Sequence, residues 1–131
     1  MGYKVFIAAD IEGTAGVVSS LQISVGQHDY EKGRRLVTRE VNAAIEGALE
    51  GRAAEIVVCD SHANMQNILP GELHLQVRLV RGAIRDSLQM QGIDETLNAV
   101  FITGAHAAAG TQYGVLDHSG VGSMVYDIRI N

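Results

Sequence analysis

Apolar positions along the chain fall into several short runs and one longer stretch of helical period. Tyr3–Ala9 (YKVFIAA) is apolar almost without interruption, the pattern of a strand covered on both faces. Ala54–Asp60 (AEIVVCD) and Asn98–His106 (NAVFITGAH) repeat it. Leu75–Gly82 alternates through Leu75, Val77 and Leu79, which predicts a third strand nearer an edge. Ser123–Ile130 also alternates and reads as a fifth strand, with antiparallel pairing as one option. Between the first two runs, Val37, Val41, Ile45 and Ala48 recur on one face of a helix with Asp29 as its cap, reaching about Leu49, with Gly51 as its stop. Residues 13–27 hold Gly13, Gly16 and Gly26 among serines and read as a loop; RDSLQMQGI, residues 85–93, reads as a short helix. This order predicts an α/β domain: a mainly parallel sheet flanked by helices, in one unit spanning 1–131.

Composition narrows the function classes. A chain of 131 residues suits one domain. The net charge of −5, with no Lys/Arg cluster, argues against nucleic acid and anionic membrane as partners. No apolar run reaches the length of a membrane span, and the N-terminal residues read as a strand and not as a leader. Cys59 is the sole cysteine, so no internal disulfide is expected; it reads as a small buried residue of a cytoplasmic protein.

The candidate chemistry sits where three apolar runs stop. The first ends in Asp10-Ile11-Glu12, the second in Asp60-Ser61-His62 and the last in Gly104-Ala105-His106. Ligands of open parallel sheets bind outside the C-terminal strand ends, so parallel neighbours would gather these groups in one crevice. An extended backbone would point Asp10 and Glu12 to one side, and likewise Asp60 and His62. Clustered carboxylates are tolerable when a cation offsets their repulsion. Mixed carboxylate and imidazole donors suit zinc, and also manganese or iron. One tetrahedral ion fits the count; so does a pair bridged by an Asp, and two ions about 3.5–4 Å apart can activate water and stabilise an oxyanion. Asp60 reads better as a turn cap, or as a group orienting His62, than as a ligand. His118, in GVLDHSG, is near enough along the chain to serve as an acid, a base or an oxyanion holder, while an exposed loop histidine is an equal reading. Its neighbours Asp117 and Ser119 cannot complete a triad with it, because adjacent residues do not face one another. His28 and His74 read as surface residues.

At these residues the chain resembles a known family, the zinc-dependent D-aminopeptidases of the DppA type. The similar segments are DIEGTAGV, YEKGRRLVTREVNAAIEGAL, VVCDSHANMQN, GAH and GVLDHS, in the family's order over nearly the whole chain. The resemblance implies a dinuclear zinc site held by Asp10, Glu12, His62 and His106, with Asp10 at the bridging position and His118 as the catalytic histidine. It implies that Asp60 is not a ligand, that small D-amino-acid peptides are the substrates, and that subunits form stacked homo-oligomeric rings. It also implies a further glutamate ligand in a Gly-Glu pair beyond Asn131, supplied by a longer chain or by a second one. Two rival readings accompany it: a magnesium-dependent phosphohydrolase with Asp10 as nucleophile, and a non-catalytic metal-binding or assembly subunit.

Overall fold

In the computed structural model, residues 2–120 are described. Four parallel strands form one sheet in the order β3-β2-β1-β4: β1 (Tyr3–Ala9), β2 (Ala53–Asp60), β3 (Arg78–Val80) and β4 (Ala99–Thr103). One long helix, α1 (Tyr30–Glu50), crosses from β1 to β2. Val37, Val41, Ile45 and Ala48 bury the apolar stripe of α1 against Val5, Ile7, Ile56 and Val58 of the sheet. The opposite face presents Phe6, Ala8, Val57 and Cys59, flanked by Val80 of β3 and covered by Met90 and Leu97. The α/β reading therefore holds, but among the described residues a helix lies on one face only. The other face is closed by an irregular segment.

The shorter elements depart from expectation for local reasons. The alternation at 75–82 becomes only three residues of strand, because β3 is an edge strand with β2 as its single partner. Leu75 lies outside the ladder and is 95% exposed. The helix expected within 85–93 is one 3-10 turn, Leu88–Met90; Leu88 at φ 43° and Gly92 at φ 98° are left-handed and stop propagation on both sides. The last apolar run leaves the sheet at Thr103, three residues before His106, because Gly104 turns at φ 63°. The loop 13–27 contains a 3-10 turn, Ser20–Gln22, capped by the Ser19 hydroxyl, which accepts from the Leu21 N–H. Asp29 occupies the N-cap of α1, but its carboxylate pairs with Lys32 Nζ at 2.5 Å and does not cap the backbone. The strand expected at Ser123–Ile130 lies outside the described residues.

Register positions the chemistry. Ala9 is level with Asp60 on one side and with Thr103 on the other. After β1 the chain builds outward through β2 and β3, then returns to β4 on the far side of β1. The carboxyl end of β1 is thus a topological switch point, where open α/β sheets leave a crevice.

Candidate metal centre

The loop after β1 is locked to the loop after β4. The ladder runs one step past the strands, the Asp10 N–H donating to Thr103 O at 2.9 Å, and the Gly13 N–H donates to Gly104 O at 2.7 Å. A Cβ on Gly13 would lie 2.0 Å from Ala105 O, and one on Gly104 would lie 2.0 Å from Asp10 O. Only glycine admits this approach of two backbones. Between Asp10 and Glu12 the chain is a turn and not extended: Ile11 is fully buried in the core, and its N–H donates to Asp10 Oδ1 at 2.9 Å. The two acids still converge, by way of the turn. Glu40 of α1 holds the far side of this loop, accepting from the Ala15 N–H at 2.9 Å.

The loop after β2 separates Asp60 from His62. Asp60 is fully buried and accepts from the N–H groups of Asn67 (2.6 Å) and Ile68 (2.7 Å) and from Asn67 Nδ2 (2.8 Å). The expectation that Asp60 and His62 share a side fails because three donors inside the loop claim the Asp60 carboxylate. Asn67 completes the arrangement: Nδ2 also donates to His62 O at 2.7 Å, and Oδ1 accepts from the Tyr30 hydroxyl at 2.8 Å. Asp60 thus organises the loop that presents His62. Nothing in the spacing marked Asn67, one polar residue in a polar loop. Arg85 also gave no signal: it donates to Asp60 O at 2.9 Å and Val80 O at 3.2 Å, fastening the 82–92 segment to the end of β2.

Asp10, Glu12 and His62 each offer a donor atom, all within 4.8 Å of one another. Nδ1 of His62 lies 3.3 Å from Asp10 Oδ1 and 3.0 Å from Glu12 Oε2. His106 approaches the other Asp10 oxygen, Nε2 to Oδ2 at 3.9 Å, and His118 Nε2 lies 3.6 Å from Glu12 Oε1. The His106 and His118 rings stack, centroids 3.6 Å apart. All three histidines follow one rule: one ring nitrogen meets a backbone carbonyl and the other faces an acid. The carbonyls are Ile23 O for His62 Nε2 (3.0 Å), Ala107 O for His106 Nδ1 (2.9 Å) and Leu116 O for His118 Nδ1 (2.8 Å). Metal-ligating imidazoles are commonly oriented this way. Asp117 and Ser119 instead close the 107–119 loop, accepting from the Gly110 N–H at 2.7 Å and the Ala109 N–H at 3.4 Å. His28 is exposed and His74 half-buried, both away from the centre.

The electrostatics fit a cation. Burial raises the Asp10 pKa, reinforced by Glu12 and opposed by His62. For Glu12, burial is outweighed by the contacts with His62 and Asp10, and the pKa falls to about 2. For His62, burial is outweighed by Asp10 and Glu12, and the ring is pushed up to about 10. The imidazolium proton is therefore the counter-charge of two crowded acids, a place a divalent ion would take with release of that proton. Glu12, 3% exposed, keeps Oε2 buried 3.0 Å from His62 Nδ1 but without an aligned hydrogen bond among the described residues. These residues open onto a cavity of about 460 Å³, walled also by Ile23, Ala63, Leu88 and Gln89.

A parallel α/β sheet with acids and imidazoles converging at its switch point defines an α/β protein with a candidate metal site. The chain belongs to the D-aminopeptidase family, peptidase M55, which matches residues 3–131. It is 32% identical over 126 residues to the D-aminopeptidase of Bacillus subtilis (strain 168), covering 96% of this chain and 44% of that protein. Its structure matches the Zn-dependent D-aminopeptidase DppA from Bacillus subtilis, a self-compartmentalizing protease, with a TM-score of 0.87 and 32% identity over 90% of this chain and 43% of that one. The chain thus spans less than half the length of the relatives it matches. Among the described residues no helix is long and apolar enough to cross a membrane.

Proposed function

We propose that this chain carries the strand-end half of a dinuclear zinc site that releases N-terminal D-amino acids from small peptides. The observation that carries the reading is the meeting of Asp10, Glu12 and His62 within 4.8 Å, with His106 facing the second oxygen of Asp10. Asp10 directs one oxygen toward His62 and the other toward His106, the disposition a bridging carboxylate needs. Glu12 and His62 would hold one ion and His106 the other. Zinc, when bound, polarises the scissile carbonyl and activates water.

The remaining steps belong to the chain's own groups. Ile23 and Leu88 line one side of the cavity, where a short peptide would lie against apolar side chains. With Nδ1 tied to Leu116 O, His118 presents Nε2 to the cavity. There it steadies the oxyanion or passes a proton to the leaving amine. Assembly into homo-oligomeric rings, a cytoplasmic setting, and a further carboxylate ligand from a longer or second chain complete the proposal. Hand specificity rests on family membership.

Zinc titration by calorimetry tests the ligand set. The parent chain is expected to bind zinc, and Asp10→Ala and His106→Ala to lower the stoichiometry. Unchanged stoichiometry in both variants would refute the ligands. Zinc binding without hydrolysis of D-alanyl peptides, even in a preparation that includes the remaining half of the family's length, would favour the non-catalytic reading instead.

A further inference from the structure

We propose that the 3-10 turn Ser20–Gln22, seated on Gly33 of α1, fixes which nitrogen of His62 faces the acids, and that Gly33 is a positioning residue for the metal centre. The inference rests on reading the site as a metal centre. His62 is the most enclosed imidazole of the three, 9% exposed, and its Nε2 has a carbonyl partner, Ile23 O at 3.0 Å. A ring that donates from Nε2 offers Nδ1 to Asp10 and Glu12. Ile23 is the residue on which the 3-10 turn ends, so its carbonyl direction is set by the turn.

The turn is in turn held from below. Gly33 is buried in the first turns of α1, and a Cβ there would lie 1.9 Å from Gln22 O and 2.9 Å from Gln22 C. Glycine inside a helix costs about 1 kcal/mol relative to alanine. Here the missing Cβ lets the backbone of Gln22, one residue before Ile23, rest on the helix. Gln22 closes the other side: Oε1 accepts from the Val18 N–H at 2.9 Å, and Nε2 donates to Gly16 O at 3.0 Å. A displaced Gln22 carries Ile23 O with it and frees the His62 ring to turn.

Gly33→Ala and Gly47→Ala make the same change on the same helix, and Gly47 has nothing within 4 Å of its would-be Cβ. The readouts are the His62 ring Nε2–H resonance in ¹⁵N-labelled chain, assigned by its disappearance in His62→Gln, and the zinc affinity. In the parent and in Gly47→Ala, the Nε2–H proton is expected to exchange slowly and remain visible, with or without zinc. In Gly33→Ala it is expected to vanish, with zinc affinity lowered roughly 10–100-fold. Should Gly33→Ala not fold, Gln22→Ala decides, since it loosens the turn without adding bulk and is expected to weaken the same resonance and affinity. A folded variant that keeps the resonance, or loses it while binding zinc as the parent does, overturns the proposal. If the parent itself binds no zinc, the metal reading fails, and the Nε2–H resonance alone still decides whether the turn orients the ring.

Discussion

At the scale of single residues the centre is a balance of burial against charge. Asp10 and Glu12 are two positions apart, and the sequence showed them as an expensive pair; His62, fifty residues on, supplies the offset. That offset has a pH signature. The His62 pKa rises from 6.5 to about 10 on folding without metal, so its contribution to stability is full below pH 6.5 and is lost as pH climbs toward 10. Denaturant midpoints of chelator-treated chain should fall between pH 6.5 and 10, and His62→Gln should flatten that fall; parallel slopes would contradict it. Glu12, lowered from 4.5 to about 2, has the opposite sign: its contribution is present above pH 4.5 and lost as pH falls toward 2. His118 belongs to the chemistry in the proposed reading. His118→Ala, assayed in a zinc-loaded preparation that hydrolyses peptide, should lower kcat by about 100-fold or more while zinc stoichiometry stays constant.

At the scale of elements, the long periodic segments were legible and the short ones were not. The α1 stripe Val37, Val41, Ile45, Ala48 and the buried runs of β1 and β2 carry enough apolar residues to decide their own conformation. Ile45→Ala should cost roughly 2–5 kcal/mol, read from the urea midpoint, because the residue is fully buried. Where a segment is short, one backbone angle or one missing partner overrides the pattern, as Gly104, Leu88 and edge strand β3 demonstrate. The contact between the β1 and β4 loops makes a prediction at this scale. Gly104→Ala combines a left-handed φ of 63° with a Cβ 2.0 Å from Asp10 O and should cost on the order of 3 kcal/mol, with zinc affinity lost alongside. Gly110→Ala, at φ 79° but in open space, should cost only about 1 kcal/mol and leave zinc binding intact.

At the scale of the whole molecule, the switch point turns four separate sequence motifs into one cavity. Because the donors arrive from three loops, a bound cation would tie those loops together. Zinc at about 100 times its Kd should add about 2.7 kcal/mol to the folded state, a rise of roughly 10 °C in Tm reversed by chelator and absent in His62→Gln. A Tm indifferent to zinc would mean the loops do not share an ion. By itself, the sequence determined the class of fold, the span of α1, the strands that make the sheet centre, and which acids and histidines stand at strand ends, because hydrophobic period and chain order are local properties. Only the tertiary structure decided that the Asp10–Glu12 segment is a turn, which donors the Asp60 carboxylate takes in the loop it was read to cap, and that Asn67, Ile23 and Gly33 stand behind His62. Those outcomes depend on which hydrogen-bond donors and which neighbouring backbones meet across long separations in the chain, and no spacing along the chain encodes them.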